Sequence, residues 1–194
     1  MKVLGIVGSP RVSGNTEFYM TQALAELAAQ DFQTELLLLR QYRVQPCLGC
    51  YHCATAEECS QQDDDFCHIY NKMRKSQGII LGTPVYYSGV VPGLMALLDR
   101  AGFLSRATGE YFSGKVGGPI TVARRAGHNF ALAQLLLWFN INDMVVPGGR
   151  YWNVGVAGAK GARNAADDTE GIETVRYFAR NMAHLIKLIN NNGK

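Results

Sequence analysis

The sequence predicts an α/β protein: a doubly wound sheet of five parallel strands, in the order 2-1-3-4-5, with helices on both faces. Three observations carry that expectation. Short apolar runs alternate along the chain with segments of helical period. Several of those runs are apolar at consecutive positions, the mark of strands buried on both faces. Right-handed crossovers then leave few ways to order them. The 194 residues contain no repeat, linker or low-complexity tract. One domain is therefore expected over 1–194, carrying a cysteine-rich loop at about 44–67.

Taken in order, "KVLGIVG" (2–8) reads as a buried strand that ends in a Gly-Ser-Pro turn. A helix follows from Asn15, with Met20, Ala23, Leu24, Leu27 and Ala28 on one face and "NTE" supplying a capping type of residue. "TELLLL" (34–39) is the second strand. Residues 44–63 hold the cysteines and show no period. "DDDF" then offers carboxylates for a helix start, and Lys72, Arg74 and Lys75 fit its C-terminal end. "GIILGTPV" (78–85) is the third strand, with a helix over about 92–103. "GGPITVA" (117–123) is the fourth, with a helix over about 128–140, and "MVVPG" (144–148) is read as the fifth. The last helix is the clearest, since Val175, Phe178, Ala179, Met182, Ile186 and Ile189 follow helical spacing.

Composition narrows the function. Hydrophobic residues make up 47% and charged residues 18%, which is ordinary for a globular protein. The net charge of +3 is mild and the basic residues are scattered, so no nucleic-acid partner is expected. The apolar run near the N-terminus is too short for the core of a signal peptide. No stretch is long enough to span a membrane, so no membrane association is expected. A cytoplasmic location follows, where thiols stay reduced. Five cysteines, an odd number, also argue against a disulfide frame.

In such a sheet a ligand binds beyond the C-terminal ends of the strands, at the switch in strand order. The loop after the first strand, "GSPRVSGNT" (8–16), is neither a Gly-x-Gly-x-x-Gly fingerprint nor a Walker loop. It combines backbone N–H groups at a helix start with Ser9, Ser13 and Thr16 hydroxyls and the Arg11 guanidinium, which together suit one terminal phosphate. The same stretch also reads as a plain turn and helix cap. The loop after the third strand, "TPVYYSGVVPG" (83–93), has a bend at Pro84, two tyrosines and Gly89, which allows close backbone approach. It can wall a flat ring, or Tyr86 and Tyr87 can be half-buried packing residues. In "ARRAGH" (123–128), Arg124 and Arg125 place charge beside a flavin or a nicotinamide cofactor's phosphate, or form a solvated basic loop. His128 is assigned no role.

The cysteines are spaced Cys47-x2-Cys50-x2-Cys53-x5-Cys59. Consecutive x2 gaps turn thiolates toward a compact cluster, as in the first three ligands of bacterial ferredoxins, although there the fourth follows after x3 and precedes proline. Zinc usually takes two pairs farther apart. Cluster, free thiols, zinc and redox disulfide all stay open on spacing alone. Cys67 lies outside the compact motif and can be a buried apolar residue.

Taken together, "GSPRVSGNT", "TPVYYSGVVPG" and a glycine-containing loop after the fourth strand resemble the NADPH-dependent FMN reductase and iron–sulfur flavoprotein branch of the flavodoxin-like superfamily. "YWNVG" (151–155) is in the same style, and the resemblance covers nearly the whole chain. It implies FMN, with its phosphate on Ser9, Arg11, Ser13, Gly14, Asn15 and Thr16. It implies the isoalloxazine against Pro84, Val85, Tyr86 and Tyr87, with Ser88 and Gly89 behind, and Ala123, Arg124 and Gly127 on the other side. The four-cysteine motif is similar to that of the iron–sulfur flavoproteins, which implies a [4Fe–4S] cluster on Cys47, Cys50, Cys53 and Cys59. The resemblance also implies a homodimer or homotetramer.

Three functions follow as expectations. The first is an FMN-dependent electron-transfer flavoprotein with a cluster, taking electrons from NAD(P)H or a ferredoxin-like donor and passing them to a small-molecule acceptor, with no side chain as nucleophile or base. The second is an NAD(P)H-dependent flavin, quinone or azo-type reductase without a cluster. The third is a thiol-based metal or redox sensor on the same scaffold.

Overall fold

The computed structural model describes residues 1–158 and 164–191; the last three residues of the expected 1–194 span lie outside that range. Strand β1 (Lys2–Val7) is central. Its side chains alternate, Val3 and Val7 to one face and Leu4 and Ile6 to the other, and both sets are buried. It pairs in parallel with β2 (Gln33–Leu38) and with β3 (Gly78–Tyr86). β3 continues beyond its neighbour and folds back as a short antiparallel strand, β4 (Gly89–Val90). On its other side β3 pairs in parallel with β5 (Val116–Ala123), and β5 with β6 (Val154–Val156). The order is β2-β1-β3-β5-β6, with β4 attached to β3 off this path.

The helices form a layer on each face. Helix α1 (Asn15–Ala28) and the last helix, α6 (Thr169–Asn191), cover one face with Tyr19, Met20, Leu27, Phe178 and Met182 among its buried residues. On the other face lie α3 (Phe66–Lys75), α4 (Pro92–Thr108) and α5 (His128–Ile141), which contribute Phe66, Leu97, Leu135 and Phe139. Between β2 and α3 the cysteine segment carries only a four-residue helix, α2 (Cys53–Ala56). Gly117 and Gly118 let both layers sit close to β5: a Cβ there would come within 2.5 Å of the Phe139 ring and 2.6 Å of the Phe178 ring.

Two expectations are corrected. The expected five-strand description misses β4 and misplaces the fifth parallel strand. That strand is 154–156, not 144–148. The 144–148 segment does touch the sheet edge, through a single parallel bridge from Val145 to Val116. Pro147 has no N–H with which to extend the ladder. At the start of α1, Gly14 occupies the N-cap position and Asn15 is the first helical residue. Asn15 Oδ1 instead accepts the Ala165 N–H at 3.4 Å. Among the described residues no helix is long and apolar enough to cross a membrane.

Candidate functional site

The C-terminal ends of β1, β3, β5 and β6 open on a crevice of about 310 Å³. The first loop contributes Ser9, Arg11, Asn15 and Thr16. Ser9 and Thr16 are buried while Arg11 is exposed at the rim. Ser9 Oγ accepts the Arg11 N–H at 3.3 Å, which curls the loop around the start of α1. Ser13 and Gly14 line a neighbouring groove with Phe18 and Ala165. The Ser13 N–H is already committed, donating to Glu17 Oε2 at 3.0 Å, and Glu17 is held in turn by Arg40 at 2.9 Å.

The second loop gives the crevice an apolar wall, Pro84, Val85 and Tyr86. The β3–β4 hairpin turns through Tyr87 (φ 49°) and Ser88 (φ 64°), with Tyr86 paired to Gly89. Two left-handed residues in a two-residue turn define type I′, a conformation that strains non-glycine residues. The turn leaves Tyr87 fully exposed, and Tyr87 is not among the residues that line the crevice. Ser88 and Gly89 also do not line it.

The third loop contributes Val122, Ala123 and Arg124. Gly127 (φ 91°) stands behind the second loop, where a Cβ would press on Val85 and Ser88 at 2.9–3.0 Å. His128 Nε2 lies 3.1 Å from the Ala123 N–H and 3.0 Å from the Gly155 carbonyl, so its ring joins the ends of β5 and β6.

Sequence reasoning missed one wall, formed by Ala157 and Gly158. It is held by a half-buried contact in which Tyr19 donates to Asp168 Oδ2 at 2.5 Å. Asp168 also accepts the N–H groups of Val156 and Gly171, each at 3.0 Å. Burial pushes the Asp168 carboxyl up, but these three donors outweigh it and hold the group below its ordinary range. Burial, reinforced by Asp168, pushes the Tyr19 phenol up. The available signal was the run of small residues that follows "YWNVG".

The cysteine segment forms a second feature. Cys47, Cys50, Cys53 and Cys59 line one cleft of about 30 Å³, walled by Leu48, Tyr51, Phe103 and Leu104. All five cysteines are free thiols. The backbone is left-handed at Gly49 (φ 61°) and Tyr51 (φ 56°), on either side of Cys50. Cys50 Sγ shares a hydrogen bond with Ser60 Oγ at 3.2 Å. That bond, with the His52 N–H, lowers the Cys50 thiol's pKa, whereas burial raises that of Cys53. Cys67 is outside the cleft and donates to Gln62 Oε1 at 3.3 Å.

The donor set is four thiols and no carboxylate or histidine, which fits a cluster that is held by four thiolates. Among the described residues no three His, Cys, Asp or Glu side chains are gathered where a single ion would sit. The segment is tied to α4 by Arg100, whose guanidinium forms an ion pair with Asp64; the two side chains are 1% and 0% exposed.

A crevice at the C-terminal edge of a doubly wound parallel sheet, with a polar loop at one end and an apolar wall at the other, is the arrangement of a flavodoxin-like fold. The family profile described as NADPH-dependent FMN reductase matches residues 1–159, and the chain belongs to that family. Over 196 residues it is 37% identical to an iron–sulfur flavoprotein of Methanocaldococcus jannaschii, covering 97% of this chain and 99% of that one. It is 32% identical to an iron–sulfur flavoprotein of Methanosarcina thermophila over 200 residues, covering 99% and 98%. Among solved structures, a flavodoxin from an archaeon superposes with a TM-score of 0.64 at 11% identity, covering 96% and 99%. The protein is an FMN-dependent oxidoreductase.

Proposed function

We propose that FMN occupies the crevice and that the cysteine cleft holds a [4Fe–4S] cluster, which makes the protein an electron-transfer flavoprotein fed by NAD(P)H or a ferredoxin-like donor. The observation that carries the reading is the pairing of a strand-end crevice with a four-thiol cleft in one chain. The names of the relatives support it.

In this reading Ser9 and Thr16 give buried hydroxyls to the phosphate, and Arg11 closes over it from the rim. Pro84, Val85 and Tyr86 exclude water from one ring face. Arg124, exposed at the crevice mouth, receives the phosphates of a pyridine nucleotide. FMN supplies both hydride and single-electron chemistry when bound, and a cluster supplies single-electron exchange. No side chain acts as nucleophile or general base. Ser13, Gly14, Tyr87, Ser88, Gly89 and Gly127 shape the loops in place of the direct contacts that the resemblance implied.

A reading without the cluster keeps the same crevice and makes the protein a plain NAD(P)H-dependent reductase. It is favoured by the absence of a gathered metal-binding group among the described residues. FMN titration into the apoprotein tests what both share: stoichiometric binding is expected, and no binding would remove the crevice assignment. Steady-state kinetics then test Arg124. Arg124→Ala should raise KM for NADPH with FMN content unchanged, and an unchanged KM would take that role away.

A further inference from the structure

We propose that Arg100 is a positioning residue of the cysteine cleft, donating to the Cys59 sulfur and making the cluster that the cleft would hold easier to reduce. The inference rests on the cluster reading above. Arg100 stands on the inner face of α4, and only 2% of it is exposed. Among the described residues, every hydrogen-bond partner of its guanidinium comes from the cysteine segment. Nη1 donates to Asp64 Oδ2 and to the Gln45 carbonyl (3.3 Å); Nη2 donates to the Gln61 carbonyl (2.9 Å) and to Cys59 Sγ (3.2 Å). The Phe66 ring lies beneath it, 4.0 Å from ring centroid to Cζ. Nε is buried without a partner among the described residues.

A purely structural clamp needs the carboxylate and the two carbonyls. The fourth bond goes to sulfur. A neutral thiol is a weak acceptor, whereas a thiolate receives a charge-assisted bond from a guanidinium. The Nη2 donor thus meets Cys59 Sγ, the sulfur that the x5 gap sets apart from Cys47, Cys50 and Cys53. Positive charge and an N–H donor at a ligand sulfur favour the more negative, reduced state of a cluster. Asp64 opposes this, since its carboxylate neutralises the guanidinium. Arg100 and Asp64 should thus act with opposite sign. The helix also links the two sites: α4 begins at Pro92, just after the hairpin that carries Tyr86, and Arg100 is eight residues on, about 12 Å along its axis.

The test uses anaerobically prepared holoprotein: wild type, Arg100→Gln, Arg100→Lys and Asp64→Asn. FMN, iron and acid-labile sulfide are assayed, and cluster reduction is followed by EPR-monitored redox titration. Arg100→Gln should shift the reduction equilibrium roughly tenfold toward the oxidised cluster, about 59 mV for a one-electron couple. Arg100→Lys keeps the charge and loses the planar fork, so it should shift less in the same direction. Asp64→Asn should shift the other way. If Arg100→Gln does not fold, Arg100→Lys against Asp64→Asn decides. Variants that load iron and FMN normally and titrate at the wild-type midpoint would overturn the proposal, as would shifts of the same sign for both residues. Wild-type protein that binds FMN but takes up no iron would sink the cluster reading itself, and this inference with it.

Discussion

The crevice and the cysteine cleft are held by different means. The crevice is built from the ends of regular elements. Its hydroxyls sit where β1 meets α1, its apolar wall continues β3, and its far side continues β5 and β6. Ladder hydrogen bonds and two helical layers fix those ends before any ligand arrives. The cleft lies in a segment with one four-residue helix and mostly exposed side chains, and its main buried tie is the Arg100–Asp64 pair. One site is thus organised by the sheet, while the other depends on a few polar contacts and on whatever its thiols bind.

The largest expected effect breaks that tie. Arg100→Met leaves the Asp64 carboxylate buried and unpaired, and chemical denaturation should show a loss of about 3–5 kcal/mol. Adding Asp64→Asn removes the stranded charge and should restore a large part of it. A single variant as stable as wild type would mean that the cleft is held some other way.

Next comes the crevice's phosphate end. Arg11→Ala should weaken FMN retention by about 1.5–3 kcal/mol, the range for a charge-assisted hydrogen bond, with no change in iron content. Equal FMN affinity in a titration would refute the loop's role.

The smallest effect sharpens the contrast on the crevice side. Tyr19→Phe removes one donor from Asp168 and should cost about 1–2 kcal/mol. Asp168 is held below its ordinary range in the folded state. Its contribution is therefore fully present above the ordinary carboxylate range and is lost as pH falls through the lower, folded-state value. The difference between wild type and Tyr19→Phe should narrow in acid. A constant difference down to that range would assign the effect to packing alone.

Much of the fold was legible because buried parallel strands announce themselves. "KVLGIVG" and "GIILGTPV" are apolar at both faces, and the last helix keeps strict period. The fifth strand was misread for a physical reason. "MVVPG" opens with three consecutive apolar residues, whereas β6 is three residues long and centred on a glycine, and the 144–148 segment does reach the sheet edge at Val145. Three loops could be placed at one crevice from strand order, but the direction of single side chains could not. Tyr87 stands fully exposed in a type I′ turn that neither tyrosine signals by itself. The Glu17 capture of the Ser13 N–H was equally hidden. Arg100 was unreadable for another reason. In "LMALLDRAG" it looks like an ordinary helix residue, and its partner Asp64 lies 36 positions earlier.

The central claim is that one chain carries both a flavin crevice and a four-thiol cluster cleft. Flavin, iron and acid-labile sulfide measured on one anaerobic preparation, with its absorbance spectrum, address it most directly. The account predicts one FMN and about four irons with matching sulfide per chain, and loss of the iron but not the FMN on Cys59→Ala. FMN without iron, even after anaerobic reconstitution, would contradict it and leave a reductase with bystander thiols.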